Sequence, residues 1–96
     1  MLKKRNKEEL KEEEFLKLSE ISRLLEISRS TLNRYSNDYD LLPFHYLEDK
    51  TSKYYRLKEV KLVLKMIEEL KSKFIPTKYM KPYLEKRAKY RELFNR

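Results

Sequence analysis

Two short segments of helical periodicity, joined by only two or three residues, constrain this chain more than any other feature of it. In the first, Ser19 is placed to cap a helix, and Ile21, Leu24 and Leu25 follow at i, i+3, i+4 spacing before Glu26. In the second, Ser28 is a further N-cap residue and predicts a helix through about Tyr35. Ile27 precedes that cap and Leu32 takes the fourth helical position, the spacing of a hydrophobic staple that sets the entry angle of the chain. Two short helices so closely joined make a helix-turn-helix. The turn between them has no glycine, and neither has the rest of the chain.

The flanking segments read as its supports. Phe15 to Leu18 form a short extended entry. Asn37, Asp38, Asp40 and Pro43 mark a loop. Residues 44–56 predict a hairpin, with Phe44 to Leu47 as one strand, Lys53 to Tyr55 as the other and a polar turn from Glu48 to Ser52. Residues 57–73 predict a helix with Val60, Val63, Leu64, Ile67, Leu70 and Phe74 on one face. Pro76 ends that pattern, and Pro82 fits the first turn of a last helix, with room for a helical turn between the two prolines. The expected fold is mainly α: a winged helix-turn-helix with a two-stranded β-hairpin wing and C-terminal helices. The expected division is a charged arm over residues 1–14, the winged helix-turn-helix domain over 15–81, and a C-terminal helix suited to dimerisation over 82–96. The expected core is Leu18, Ile21, Leu24, Leu25, Ile27, Leu32, Leu42, Val60, Val63, Leu64 and Ile67.

Composition narrows the function. With 96 residues there is room for one domain. Cysteine is absent and His45 is the only histidine, so thiol chemistry is excluded and a metal site is not expected. No nucleophile–base set or glycine loop appears, and Glu12, Glu13 and Glu14 are adjacent rather than paired across a cleft, so neither an enzyme nor a cofactor is expected. No apolar run is long enough for a membrane span or a signal peptide, which leaves a cytoplasmic protein without a membrane partner as the expectation. The net charge of +8 points to a polyanion. Residues 57–96 hold twelve basic and five acidic side chains, so most of the excess is C-terminal.

The second helix carries polar donors at its N-terminal end, where a recognition helix meets base edges. Arg29, Ser30 and Asn33 supply them; arginine can pair with guanine and asparagine with adenine. Ser28 caps that helix, whose N-terminus attracts phosphate. Arg34 and Arg23 are phosphate candidates, and Tyr35 either packs or offers its hydroxyl to a phosphate. Lys50, Lys53 and Arg56 charge the wing. Tyr83, Leu84, Ala88, Leu93 and Phe94 offer an apolar seam for a second protomer.

The stretch from Leu18 to Leu84 resembles the DNA-binding domain of the MerR family. Ile27-Ser28-Arg29-Ser30-Thr31-Leu32-Asn33-Arg34-Tyr35 lies on the family's recognition helix, with Asn33 where arginine is usual. Leu41-Leu42-Pro43 matches the step into the wing, Lys53-Tyr54-Tyr55 its return, and Glu59-Val60 the start of the next helix. Ile75-Pro76-Thr77 falls where the fourth helix begins, with Met80 and Leu84 at apolar positions. The family's glycines before the wing, in the wing and before the fourth helix are absent, with Lys73 at the last. The long dimerising helix and effector segment are missing or much shortened. The resemblance implies sequence-specific binding of double-stranded DNA by a regulator that forms a homodimer on its site, with no evident small-molecule effector. A plasmid-partition or recombination-directionality protein, and an adaptor docking protein through its C-terminal helix, are the alternatives.

Overall fold

A computed structural model describes residues 14–48 and 51–94, so most of the N-terminal arm and Lys50 of the wing lie outside the described residues. The order is β1 (Phe15–Leu16), α1 (Leu18–Leu25), α2 (Arg29–Asn33), a wide π-helical turn (Arg34–Asp38), β2 (His45–Tyr46), β3 (Lys53–Arg56), α3 (Leu57–Ser72), a 3₁₀ turn (Thr77–Tyr79), α4 (Met80–Glu85) and α5 (Ala88–Phe94). The fold is the mainly α winged helix-turn-helix that the sequence predicts. The sheet gains a strand, however. The extended entry at Phe15–Leu16 pairs antiparallel with β3, giving the order β1-β3-β2.

Helix α1 begins two residues earlier than a Ser19 cap implies. Lys17 is the N-cap, and its backbone N–H donates to the Glu20 carboxylate at 3.4 Å, which satisfies an end donor without a serine. At the other end Glu26 takes the left-handed conformation that glycine would fill more cheaply, with φ 56°. The Ile27 N–H donates to the Ser22 carbonyl at 3.2 Å, and the Ser22 hydroxyl donates back to the Ile27 carbonyl at 2.6 Å. A side-chain clamp thus replaces the missing glycine. Ser28 caps α2 as expected, its Oγ accepting from the Thr31 N–H at 3.2 Å. Ser28→Ala should cost about 1 kcal/mol, read from the shift in a chemical denaturation midpoint.

One cluster forms the core, from Leu16 and Ile21 through Leu32, Leu41 and Leu42 to Tyr55 and the inner face of α3, where Leu57, Val60, Val63, Met66, Ile67 and Leu70 are buried. Ile27 packs against the same cluster as Leu32. Leu18, Leu24, Leu25 and Leu64, expected inside, are only partly buried at its rim. Phe74 was expected on the buried face of α3, yet it is 93% exposed. The helix has ended by Ser72, and Phe74 adopts φ 64°, which swings it off the face.

The C-terminal segment differs most from expectation. Residues 82–94 do not form one helix. Between α4 and α5 the N–H groups of Lys86 and Arg87 donate to carbonyls only three residues back, at 3.3 and 2.9 Å, and the axis turns. Met80, Leu84 and Tyr90 are buried in the same core as the helix-turn-helix. The proposed seam therefore fails as a continuous face: Leu84 is inside, while Tyr83 and Ala88 are exposed on separate helices, and Phe94 leans on Tyr90 with ring centroids 4.9 Å apart.

Two buried tyrosines tie the layers together. The hydroxyl of Tyr55 on β3 meets the Ser36 hydroxyl at 2.6 Å, just after the recognition helix. The Tyr90 hydroxyl donates to the Leu41 carbonyl at 2.7 Å. Burial raises both phenols above their ordinary range, opposed at Tyr55 by the Ser36 hydrogen bond and reinforced at Tyr90 by the charges of Asp40 and Glu85. A raised folded-state value means that stability is complete below the unfolded value of about 10. It is lost as the pH rises from there through the folded-state values. Alkaline unfolding should accordingly be steeper in the native chain than in Tyr55→Phe or Tyr90→Phe, as measured by denaturation between pH 9 and about 11.

Candidate nucleic-acid interface

Arg29, Ser30, Asn33 and Arg34 are all exposed along α2 and the turn that follows it. Arg29 and Asn33 line an open groove of about 340 Å³ together with Lys17, Ser19, Asn37, Ser52 and Lys53. Its floor is the junction of α1, α2 and the wing, and no carboxylate lines it. A ladder of polar contacts crosses it. Asn37 Nδ2 donates to Asn33 Oδ1 at 3.2 Å, and Lys53 Nζ donates to Asn37 Oδ1 at 3.3 Å. Lys53 also sits over the Phe44 ring, 4.4 Å from its centroid. Wing and recognition helix are thereby held in one orientation.

The structure separates the sequence-predicted residues into groups. Arg29, Asn33 and Lys53 come together in the groove. Ser30 and Arg34 are exposed without lining it, and Arg23 is exposed on the last turn of α1. The Ser28 hydroxyl is taken up by capping: it donates to Thr31 Oγ1 at 2.8 Å besides accepting from the backbone. Tyr35 packs rather than presenting a phenol to phosphate. It is 8% exposed, and its hydroxyl accepts from Lys71 of α3 at 3.2 Å. Arg56 is partly buried, its guanidinium 4.7 Å from the Phe15 ring centroid, so it braces β1 against β3 instead of charging the wing. Lys50 is outside the described residues.

Lys17, Ser19, Asn37 and Ser52 were not anticipated. Asn37 follows Asn33 by four residues, one helical turn, but the Asn-Asp composition there reads as loop. The π-helical turn carries the helix onward and keeps Asn37 on the same face.

Over residues 16–87 the chain matches the model of the MerR HTH family regulatory proteins. The chain belongs to the MerR helix-turn-helix family. No curated protein and no solved structure shows significant similarity to it. MerR proteins are DNA-binding regulators, and the match spans every element from α1 through α4. The family's missing glycines have conformational counterparts. Asp40, in the loop before the wing, has φ 55°. Before the fourth helix the left-handed residue is Phe74, one position after Lys73. Among the described residues, no helix is long and apolar enough to cross a membrane, and no cluster of histidine and acidic side chains could hold a metal ion.

Proposed function

We propose that this MerR-family chain is a transcriptional regulator that reads specific double-stranded DNA sites, with α2 in the major groove and the wing on the adjacent backbone. The observation that carries this reading is the groove in which Arg29 and Asn33 of α2 meet Lys53 of the wing and Lys17 of the α1 N-cap without an opposing carboxylate. Arg29, in the first turn of α2, takes a guanine edge through its paired N–H donors. Asn37 holds Asn33 Oδ1, so Asn33 contributes its Nδ2 as donor to an acceptor on the next base. Lys53, Lys17, Arg23 and Arg34 meet phosphates and fix the register.

Selection of bound fragments from the native genome followed by footprinting tests the reading. One palindromic site beside a promoter is the expected layout; spaced repeats would assign the chain to DNA segregation or recombination instead. Affinity should also fall steeply with salt, since roughly five to eight basic side chains displace counterions and each phosphate contact contributes a slope of about −0.9. Lys53→Ala and Arg23→Ala should weaken all sequences about equally. Nearly flat affinity between low and moderate salt would rule out duplex DNA as the ligand.

A further inference from the structure

The groove between α2 and the wing uses little of the C-terminal charge. A second basic surface lies around α4, where Lys78, Tyr79, Pro82, Tyr83 and Lys86 line an open groove of about 450 Å³ with no acidic residue in its lining. Tyr79 is 57% exposed and Tyr83 47%, whereas Tyr35, Tyr55 and Tyr90 are buried in the core. Tyr83 follows Tyr79 by four residues, and both line the same groove. The Lys78 ammonium lies 5.1 Å from the Tyr79 ring centroid and the Lys86 ammonium 6.0 Å from that of Tyr83. Each aromatic face is thus accompanied by a cation on a flexible stem that can swing to a phosphate.

We infer that this α4 groove binds unpaired nucleic acid, with bases stacked on Tyr79 and Tyr83 and backbone phosphates held by Lys78 and Lys86. Exposed rings interleaved with lysines and free of carboxylates are the chemistry of a single-strand platform: every base has a face to stack, and the positive groove tracks the backbone. An acidic peptide would satisfy the lysines but would leave two exposed rings without an equivalent partner. The inference does not rest on the recognition-helix reading, because the two grooves share no residue.

The test is fluorescence anisotropy with a labelled 15-nucleotide oligothymidylate and its oligouridylate counterpart, alongside a duplex carrying the selected site. Tyr79→Ala/Tyr83→Ala should lose about tenfold or more in single-strand affinity while keeping duplex affinity, and Tyr79→Phe/Tyr83→Phe should keep both. Lys78→Gln/Lys86→Gln should flatten the single-strand salt slope by roughly 1.4, at about 0.7 per phosphate contact. Arg29→Ala should leave single-strand binding unchanged. A preference for one oligonucleotide assigns DNA or RNA as the source; either supports the inference. Unchanged single-strand affinity in the double alanine variant would overturn it, as would loss of single-strand binding on Arg29→Ala. Tyrosine-dependent binding of a polyglutamate peptide in place of the oligonucleotides would overturn it in favour of an acidic protein partner.

Discussion

Tyr90→Ala should destabilise the fold by about 3–5 kcal/mol, a large part of the total stability of a domain this size. The ring is 1% exposed and fills the core between α4, α5 and the loop that leads to the wing. Its hydroxyl donates to the Leu41 carbonyl and accepts from Lys81 Nζ at 3.0 Å. Lys81 also donates to the Asp40 carbonyl at 2.6 Å, so one lysine and one tyrosine clasp two successive carbonyls, the first on a residue held at positive φ. Tyr90→Phe keeps the volume but leaves the Leu41 carbonyl without this donor, and should cost about 1–3 kcal/mol. Urea denaturation followed by circular dichroism measures both. An alanine variant within 1 kcal/mol of the native chain would mean that α5 does not pack where it is placed here.

The second large effect is on sequence reading. Arg29→Ala should lower affinity for the specific site by about 1–3 kcal/mol and relax preference at one base pair. Asn33→Ala should relax a neighbouring position, because the two side chains line the same groove one turn apart. Arg34→Ala, outside that groove, should weaken specific and random DNA alike. Competition against a site library at one fixed salt concentration separates these outcomes. If Arg29→Ala weakens specific and random DNA by one common factor, α2 does not read bases, and specificity lies in the wing or in DNA shape.

The helix-turn-helix was legible because its signals are local: a serine cap at Ser28, the apolar spacing of Ile21, Leu24 and Leu25, and Ile27 stapled toward Leu32. What escaped depends on contacts across the chain. A two-residue strand at Phe15–Leu16 exists only because β3 is there to pair with it. Arg56 and Tyr35 carry polar ends suited to DNA, but a periodicity shows only which face they occupy, not that Phe15 and Lys71 claim them. The break at Lys86 and Arg87 is the clearest case. On a continuous helix Tyr90 would stand roughly 240° around the axis from Leu84 and could not share its core. The turn between α4 and α5 brings both inside, and no proline or glycine marks it. Lys17 and Asn37 join the candidate interface for similar reasons: their positions follow from an unusual cap and a π-helical turn.

The clasp on Leu41 also bears on the birth of the protein. Tyr90 lies 49 residues beyond the carbonyl it holds. A chain emerging during synthesis therefore exposes its DNA-reading helix and wing well before the ring that closes their core has been made, and domains complete their packing only as the required segments appear. Until then the core that Leu41, Leu42 and Met80 share with Tyr90 is incomplete, and the loop after Asp40 is held by Lys81 without the tyrosine half of its clasp. A nascent or prematurely terminated product should thus show the recognition residues without the rigidity to use them, and competence to bind should be acquired late, in a single step, as α5 docks.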